Sequence, residues 1–221
     1  MNQTEDTGTK GLVEWIHAHI RRLDQSAMQI TAADGAVIYI DLFAGKGNLP
    51  PGDYFFVTHP HGDHFKPGLI RKLAKPGAKI VVPASVKASG ADGGVATDGV
   101  APGETRKIGA IEVSGIPAYN KGKMPHPRKA GFCGYLLNVD GIRIYHAGDT
   151  DFIPEMENMK PDIAMLPVGG GIVTMDWKNA LKAADALKTK VVIPMHYGLI
   201  PFTGNRGRKF RDAWNGTTVL L

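Results

Sequence analysis

Residues Thr58-His59-Pro60-His61-Gly62-Asp63-His64 pack three imidazoles and a carboxylate into one short stretch, directly after the apolar run Tyr54-Phe55-Phe56-Val57. A short apolar run rich in aromatic residues reads as a buried strand. The chain must therefore fold so that a strand delivers this cluster to the rim of a sheet. Imidazole and carboxylate are the donors that zinc, manganese, iron and nickel accept. His59 and His61 stand two apart in an extended segment, so their rings point to one side. Asp63 and His64 follow the Gly62 turn, where the chain enters a helix, and can face a second position. Such a layout suits two metals about 3.5–4 Å apart that share a bridging ligand. The alternative, a solvated loop with incidental histidines, sits poorly with only 8 histidines in 221 residues.

Two further strand ends carry ligand types. Ile142 to Tyr145 runs into His146-Ala147-Gly148-Asp149-Thr150-Asp151, and Val191 to Pro194 runs into Met195-His196-Tyr197-Gly198. Loops on a rigid sheet edge are where catalytic groups concentrate. Between these points, helices and strands interleave. Leu12, Val13, Ile16, Ile20 and Leu23 recur at helical spacing and predict an extra N-terminal helix over about 10–23. His17 and His19 would lie on different faces of it, as surface or packing residues. Hairpin turns are expected at Ala33-Asp34-Gly35, Gly109-Ala110 and Asp140-Gly141. Further helices are expected over Phe65 to Leu73, Asp176 to Leu187 and Arg208 to Trp214, and a terminal strand over Thr217 to Leu221. No linker or short repeat interrupts the pattern, so residues 1–221 read as one α/β domain.

Composition narrows the function classes. Cys133 is the only cysteine, so no intrachain disulfide can form, and its apolar neighbours make it a buried structural thiol. No run approaches the roughly 18 apolar residues of a membrane helix. The polar stretch Met1 to Lys10 lacks a basic-then-apolar signal pattern, which predicts a cytoplasmic protein. A net charge of +5 suits a small anionic substrate but is no nucleic-acid signature. Homo-oligomers are compatible with all of this.

The His-x-His-x-Asp-His cluster, a later His, a strand-end Gly-Asp-Thr and a final strand-end His together resemble the metallo-β-lactamase superfamily, in order and spacing from about Ala27 to His196. More narrowly, Ala118-Tyr119-Asn120, His126-Pro127, Gly134-Tyr135 and the stretch Tyr145 to Asp151 look like the small metal-dependent hydrolases related to ascorbate-6-phosphate lactonase. The resemblance implies a four-layer αββα sandwich with a dinuclear site at one edge. Carried over, His59, His61 and His126 would hold one metal. Asp63, His64 and His196 would hold the other, and Asp149 would bridge them. His146 is the competitor of His126 for the first site. The ions would be two divalent cations, zinc first, with manganese, iron or nickel as alternatives. One departure stands out: where the family carries a Gly-His-Ala-Ser segment on its first strand, this chain has Asp24-Gln25-Ser26-Ala27.

Such a metal pair lowers the pKa of bound water and supplies hydroxide as nucleophile. The expected reaction is hydrolysis of an ester, lactone, amide or phosphodiester, with Asp63 orienting the hydroxide or taking its proton. Tyr119, Asn120, Lys121, Lys123 and Arg128 crowd the loop around His126 as candidate contacts for an anionic substrate. Asp41 is expected to support a ligand histidine from behind. The rival readings are an iron-dependent redox protein of the same fold, a phosphodiesterase or nuclease, and a scaffold with a relict site.

Overall fold

The computed structural model describes residues 4–45, 47–95, 97–199 and 201–221, so Met1 to Gln3 of the polar N-terminal stretch lie outside the described residues. Two sheets stack face to face. The first has six strands in sequential order: β1 (Ile20–Asp24), β2 (Ala27–Thr31), β3 (Val37–Ile40), β4 (Gly52–Phe56), β5 (Ala74–Pro83) and β6 (Asp98–Val100). Alternation decides its faces. Met28, Ile30, Ile38, Ile40, Phe56 and Val81 point into the core shared with the second sheet. Val37, Tyr39, Phe55, Ile80 and Val82 point the other way. There they pack beneath α2 (Pro67–Leu73) and α3 (Ala84–Ala88) through Ile70 and Val86.

The second sheet has seven strands: β7 (Thr105–Ile108), β8 (Ile111–Pro117), β9 (Cys133–Val139), β10 (Ile142–His146), β11 (Ile163–Pro167), β12 (Val191–Met195) and β13 (Thr217–Thr218), ordered β13-β12-β11-β10-β9-β8-β7. Strands β10 to β13 run parallel. Every residue of β11 and β12 is buried, as expected of parallel strands covered on both faces. Their outer cover is α4 (Trp177–Leu187), through Ala180, Ala183, Ala184 and Leu187, and α5 (Arg206–Ala213), through Phe210. Asp176 caps α4 by accepting the Asn179 N–H at 2.8 Å. The result is the αββα sandwich of the metallo-β-lactamase fold.

The N-terminal helix needs correction. It spans α1 (Thr4–His19), not 10–23, because Ile20 to Asp24 leave it to pair antiparallel with β2, from Ile20↔Ile30 to Asp24↔Ala27. Ile20 and Leu23 fit a helical spacing, but Ile20 pairs with Ile30 and is buried in the inter-sheet core, and Leu23 falls at an irregularity of the β1–β2 pairing. His17 is exposed and His19 stacks on Trp15, both away from the sheet rim. Smaller shifts follow the same logic. Lys75-Pro76-Gly77, whose proline and glycine suit a helix stop after Leu73, lies inside β5. The loop-rich stretch after Pro83 contains α3 and β6, and the terminal strand contracts to Thr217–Thr218. The hairpin turns at Gly109-Ala110 and Asp140-Gly141 are present.

Candidate metal centre

Parallel strands offer their C-terminal ends as a rim, and there the ligand-type residues gather. Asp41 follows β3, Thr58 to His64 follow β4, Asp149 follows β10 and His196 follows β12. His126 comes from the connection between β8 and β9.

Each key imidazole is oriented from behind. The buried Asp41 carboxylate accepts the Thr58 backbone N–H on Oδ1 at 2.8 Å and the Thr58 hydroxyl on Oδ2 at 2.8 Å. The same Oδ2 accepts His64 Nδ1 at 2.7 Å. Thr58 Oγ1, having given its proton to Asp41, accepts His59 Nδ1 at 2.9 Å. His126 Nδ1 bonds to Asn120 Oδ1 at 2.8 Å, and the Asn120 amide is anchored on the Val173 carbonyl at 3.0 Å. With Nδ1 occupied in all three rings, each turns its Nε2 toward a common centre. This outer support is what ligand histidines need to hold one tautomer.

The side chains converge as three sets whose donor atoms lie within 4.8 Å of one another: His59, His61 and His126; His59, His64 and Asp149; and Asp63, His64 and His196. His126 Nε2 is 3.1 Å from His61 Nδ1. Asp149 stands between the sets. Its Oδ2 is 3.1 Å from His196 Nε2, 3.9 Å from His126 Nε2 and 4.0 Å from His59 Nε2. Its Oδ1 is 3.4 Å from His64 Nε2. Asp63 Oδ2 lies 3.8 Å from His64 Nε2, with the Asp63 side chain 43% exposed at the open side.

Electrostatics and burial suit a cation. Burial pushes His59 well below the ordinary histidine pKa and brings His126 down to about 4, so both rings are neutral with lone pairs available. Burial opposes charge on His64 too, but the carboxylates of Asp149 and Asp41 outweigh it and raise its pKa well above normal. Burial would raise Asp149, yet His64 and His196 hold it well below the carboxylate range, fully ionised. Of the buried atoms without a hydrogen-bond partner, four belong to these ligand-type residues: His59 Nε2, His64 Nε2, Asp149 Oδ1 and His196 Nδ1. Buried unpaired polar atoms cost about 1–3 kcal/mol each, and three of these four are donor atoms of the candidate sets. Nitrogen and carboxylate donors, bare and converging, fit divalent metal ions.

His146 is absent from these sets. Its Nε2 bonds to the Ser26 carbonyl at 2.9 Å and its Nδ1 accepts the Gly148 N–H at 3.2 Å, which leaves no free nitrogen. In the basic loop, Lys123 is tied to Asp151 at 2.6 Å, and Arg128 and the Tyr119 hydroxyl both bond to Glu155. Tyr197 packs under the Arg22 guanidinium and against α5 at Gly207. Gly169 lets the chain after β11 pass His196, since a Cβ there would lie 2.1 Å from the His196 carbonyl oxygen. Cys133 is buried, with its thiol pushed up to about 12.

One residue at the centre is marked in the sequence only as a departure from the family pattern. Gln25 Nε2 lies 2.9 Å from both Asp63 Oδ2 and His196 Nε2. No ligand-type signal flags a glutamine. The only available clue is its place in the Gly-His-Ala-Ser comparison. Gln25, Asp41 and His196 all take positive φ, at 41°, 51° and 56°. Such strain in side-chain-bearing residues is characteristic of functional sites.

Comparison with known proteins points the same way. Residues 19–196 match the family model described as a beta-lactamase superfamily domain. A UPF0173 metal-dependent hydrolase of Archaeoglobus fulgidus is 34% identical over 193 residues, covering 80% of this chain and 82% of that protein. A crystal structure of a metal-dependent hydrolase from Parabacteroides distasonis superposes with TM-score 0.77 at 29% identity, over 91% of each chain. Igni18, a metallo hydrolase from Ignicoccus hospitalis, superposes with TM-score 0.73 at 26% identity, over 91% of this chain and 94% of that one.

Proposed function

This chain belongs to the metallo-β-lactamase superfamily, among its metal-dependent hydrolases, and from there we propose that it works with two divalent cations held on either side of Asp149. His59, His61 and His126 would hold one, and Asp63, His64 and His196 the other. The observation that carries this reading is the placement of Asp149. Its two carboxylate oxygens face different histidines, Oδ1 toward His64 and Oδ2 toward His196, His126 and His59. Oδ2 thus faces histidines of both proposed sites, His126 and His59 of one and His196 of the other, which is where a carboxylate shared by two ions stands.

A bound pair of cations supplies Lewis acidity toward a carbonyl or phosphoryl oxygen and makes hydroxide available near neutral pH. The protein's own residues do the rest. Asp63, partly exposed at the mouth, orients the attacking water and can take up its proton. Asp41, Thr58 and Asn120 hold the imidazoles in one tautomer, so the site is organised before substrate arrives.

The reaction is hydrolysis of an ester, lactone, amide or phosphodiester bond in a small anionic substrate, with zinc as the first candidate metal. Since Lys123 and Arg128 are neutralised by Asp151 and Glu155, the anionic preference rests on Lys121, beside Asn120, and on the net charge of +5. The narrower likeness to ascorbate-6-phosphate lactonase stays a comparison of motifs and does not extend to substrate. Among the described residues no helix is long and apolar enough to cross a membrane.

The test is metal analysis of protein purified without added metal, followed by an activity screen of the reconstituted protein across lactones, phosphodiesters, phosphorylated sugars and β-lactams. Two divalent ions per chain and an activity abolished in His59→Ala are expected. A stoichiometric single iron would replace the hydrolase with a redox protein. Activity indifferent to His59→Ala would mean the reaction lies elsewhere.

A further inference from the structure

We propose that Gln25 is itself a metal ligand, giving the cation held by Asp63, His64 and His196 a neutral amide oxygen. The inference rests on the two-cation reading above and assigns a donor that the ligand pattern does not contain.

Gln25 occupies the two-residue turn between β1 and β2, where Asp24 pairs with Ala27. Its φ of 41° is one that glycine or asparagine adopts more readily. A longer side chain retained there needs a reason, and its surroundings supply one. The residue is 1% exposed. Its backbone is locked to the site, because its carbonyl accepts the His196 N–H at 3.0 Å and Arg22 Nε at 2.9 Å. The side chain runs inward and ends between two candidate donors, 2.9 Å from Asp63 Oδ2 and 2.9 Å from His196 Nε2.

That spacing is informative. Donors bound at about 2.1 Å to one cation lie about 3.0 Å apart along an octahedral edge and about 3.4 Å apart along a tetrahedral one. The end of the Gln25 amide, Asp63 Oδ2, His196 Nε2 and Asp149 Oδ2 are linked by separations of 2.9, 2.9 and 3.1 Å. Each consecutive pair has the spacing of neighbours in one coordination shell, and Asp63 and His196 also share one donor set with His64.

The amide's two ends are unequally served. The nitrogen bridges Asp63 and His196, whereas Oε1 is buried without a hydrogen-bond partner. A half-turn about χ3 exchanges them. Against the Asp63 carboxylate the amide presents its nitrogen and donates. With a cation among these donors the preference reverses, because a neutral amide nitrogen has no lone pair to offer and the oxygen does. An added oxygen donor also makes this site harder than Asp63, His64 and His196 alone would, which shifts its preference toward manganese relative to zinc.

The experiment titrates metal-free, full-length protein with cobalt(II) and with manganese(II) against a competing chelator, for wild type, Gln25→Ala, Gln25→Leu and Gln25→Glu. Wild type should take up two ions. Gln25→Ala and Gln25→Leu should weaken one of them at least tenfold and leave the other unchanged, with the loss greater for manganese. Cobalt absorption should intensify in both as coordination number falls. Gln25→Glu keeps an oxygen in place and should retain the ion at wild-type affinity or better. Unchanged affinity and cobalt spectrum in Gln25→Ala and Gln25→Leu would overturn the ligand assignment and leave the two-cation reading standing. Equal losses in all three variants, with a lower melting temperature of the metal-free protein, would reduce Gln25 to a structural residue. Wild type that binds fewer than two ions would overturn both.

Discussion

Asp41 and His64 are joined by a 2.7 Å hydrogen bond from Nδ1 to Oδ2, with both side chains sealed from solvent. The pair ties the end of β3 to the turn after β4 and leaves His64 Nε2 facing the centre. Asp41→Asn preserves shape but replaces one oxygen with a donor, so His64, Thr58 or both lose their acceptor. Removing such outer partners typically costs 10- to 100-fold in metal affinity. The expected outcome is a loss of that size in chelator competition for the ion that His64 holds, with a smaller loss for the His59 ion through Thr58. Unchanged affinity would mean that packing alone orients the ring.

His126 and His146 can be separated by substitution. His126→Ala removes an Nε2 from the centre and should lower metal content by one ion with modest loss of stability. His146→Ala leaves the centre intact but orphans the Ser26 carbonyl and opens a buried space. It should keep full metal content and cost about 1–3 kcal/mol in urea unfolding. The reverse pattern would exchange their roles.

Gly169→Ala tests close approach rather than chemistry. A Cβ at this position would lie 2.1 Å from the His196 carbonyl oxygen, which no side-chain rotation relieves. Backbone displacement should destabilise the fold by about 1–3 kcal/mol and weaken the ion held by His196. A variant with wild-type melting temperature and metal content would show that the loop shifts without moving His196.

Away from the site, Asp162 sets an acid-sensitive link between β10 and β11. Burial would raise its pKa, but the Lys190 ammonium at 2.7 Å and the Arg143 backbone N–H at 2.9 Å hold it below the usual carboxylate value. A depressed folded-state pKa contributes stability that is full above the unfolded value, near pH 4, and fades as pH falls through the folded value. Asp162→Asn should therefore destabilise by about 0.5–1.5 kcal/mol at pH 7, and the difference should shrink in unfolding curves taken below about pH 4. A penalty independent of pH would assign the effect to packing.

Much of the architecture was readable because it is written in local patterns. Apolar runs marked β4, β10 and β12, and Asp140-Gly141 marked the β9–β10 hairpin. The helical spacing over 10–23 breaks off at Ile20 for a physical reason. A spacing of apolar residues records which side chains are buried, but not whether a neighbouring strand will claim their backbone. The positions of Lys75-Pro76-Gly77 within β5 and of the short α3 were hidden for the same reason, since both depend on neighbours distant in sequence.

The sequence by itself determined the kinds of donor and the strand ends that carry them, because side-chain chemistry and strand periodicity are local properties. Tertiary structure alone decided how those donors meet. It set Asp149 between two groups of histidines and turned His146 onto backbone atoms. It also brought Gln25 to His196 across 171 residues of chain. Distances of a few ångströms between residues so far apart are fixed by sheet stacking and the paths of loops. No spacing along the chain encodes them.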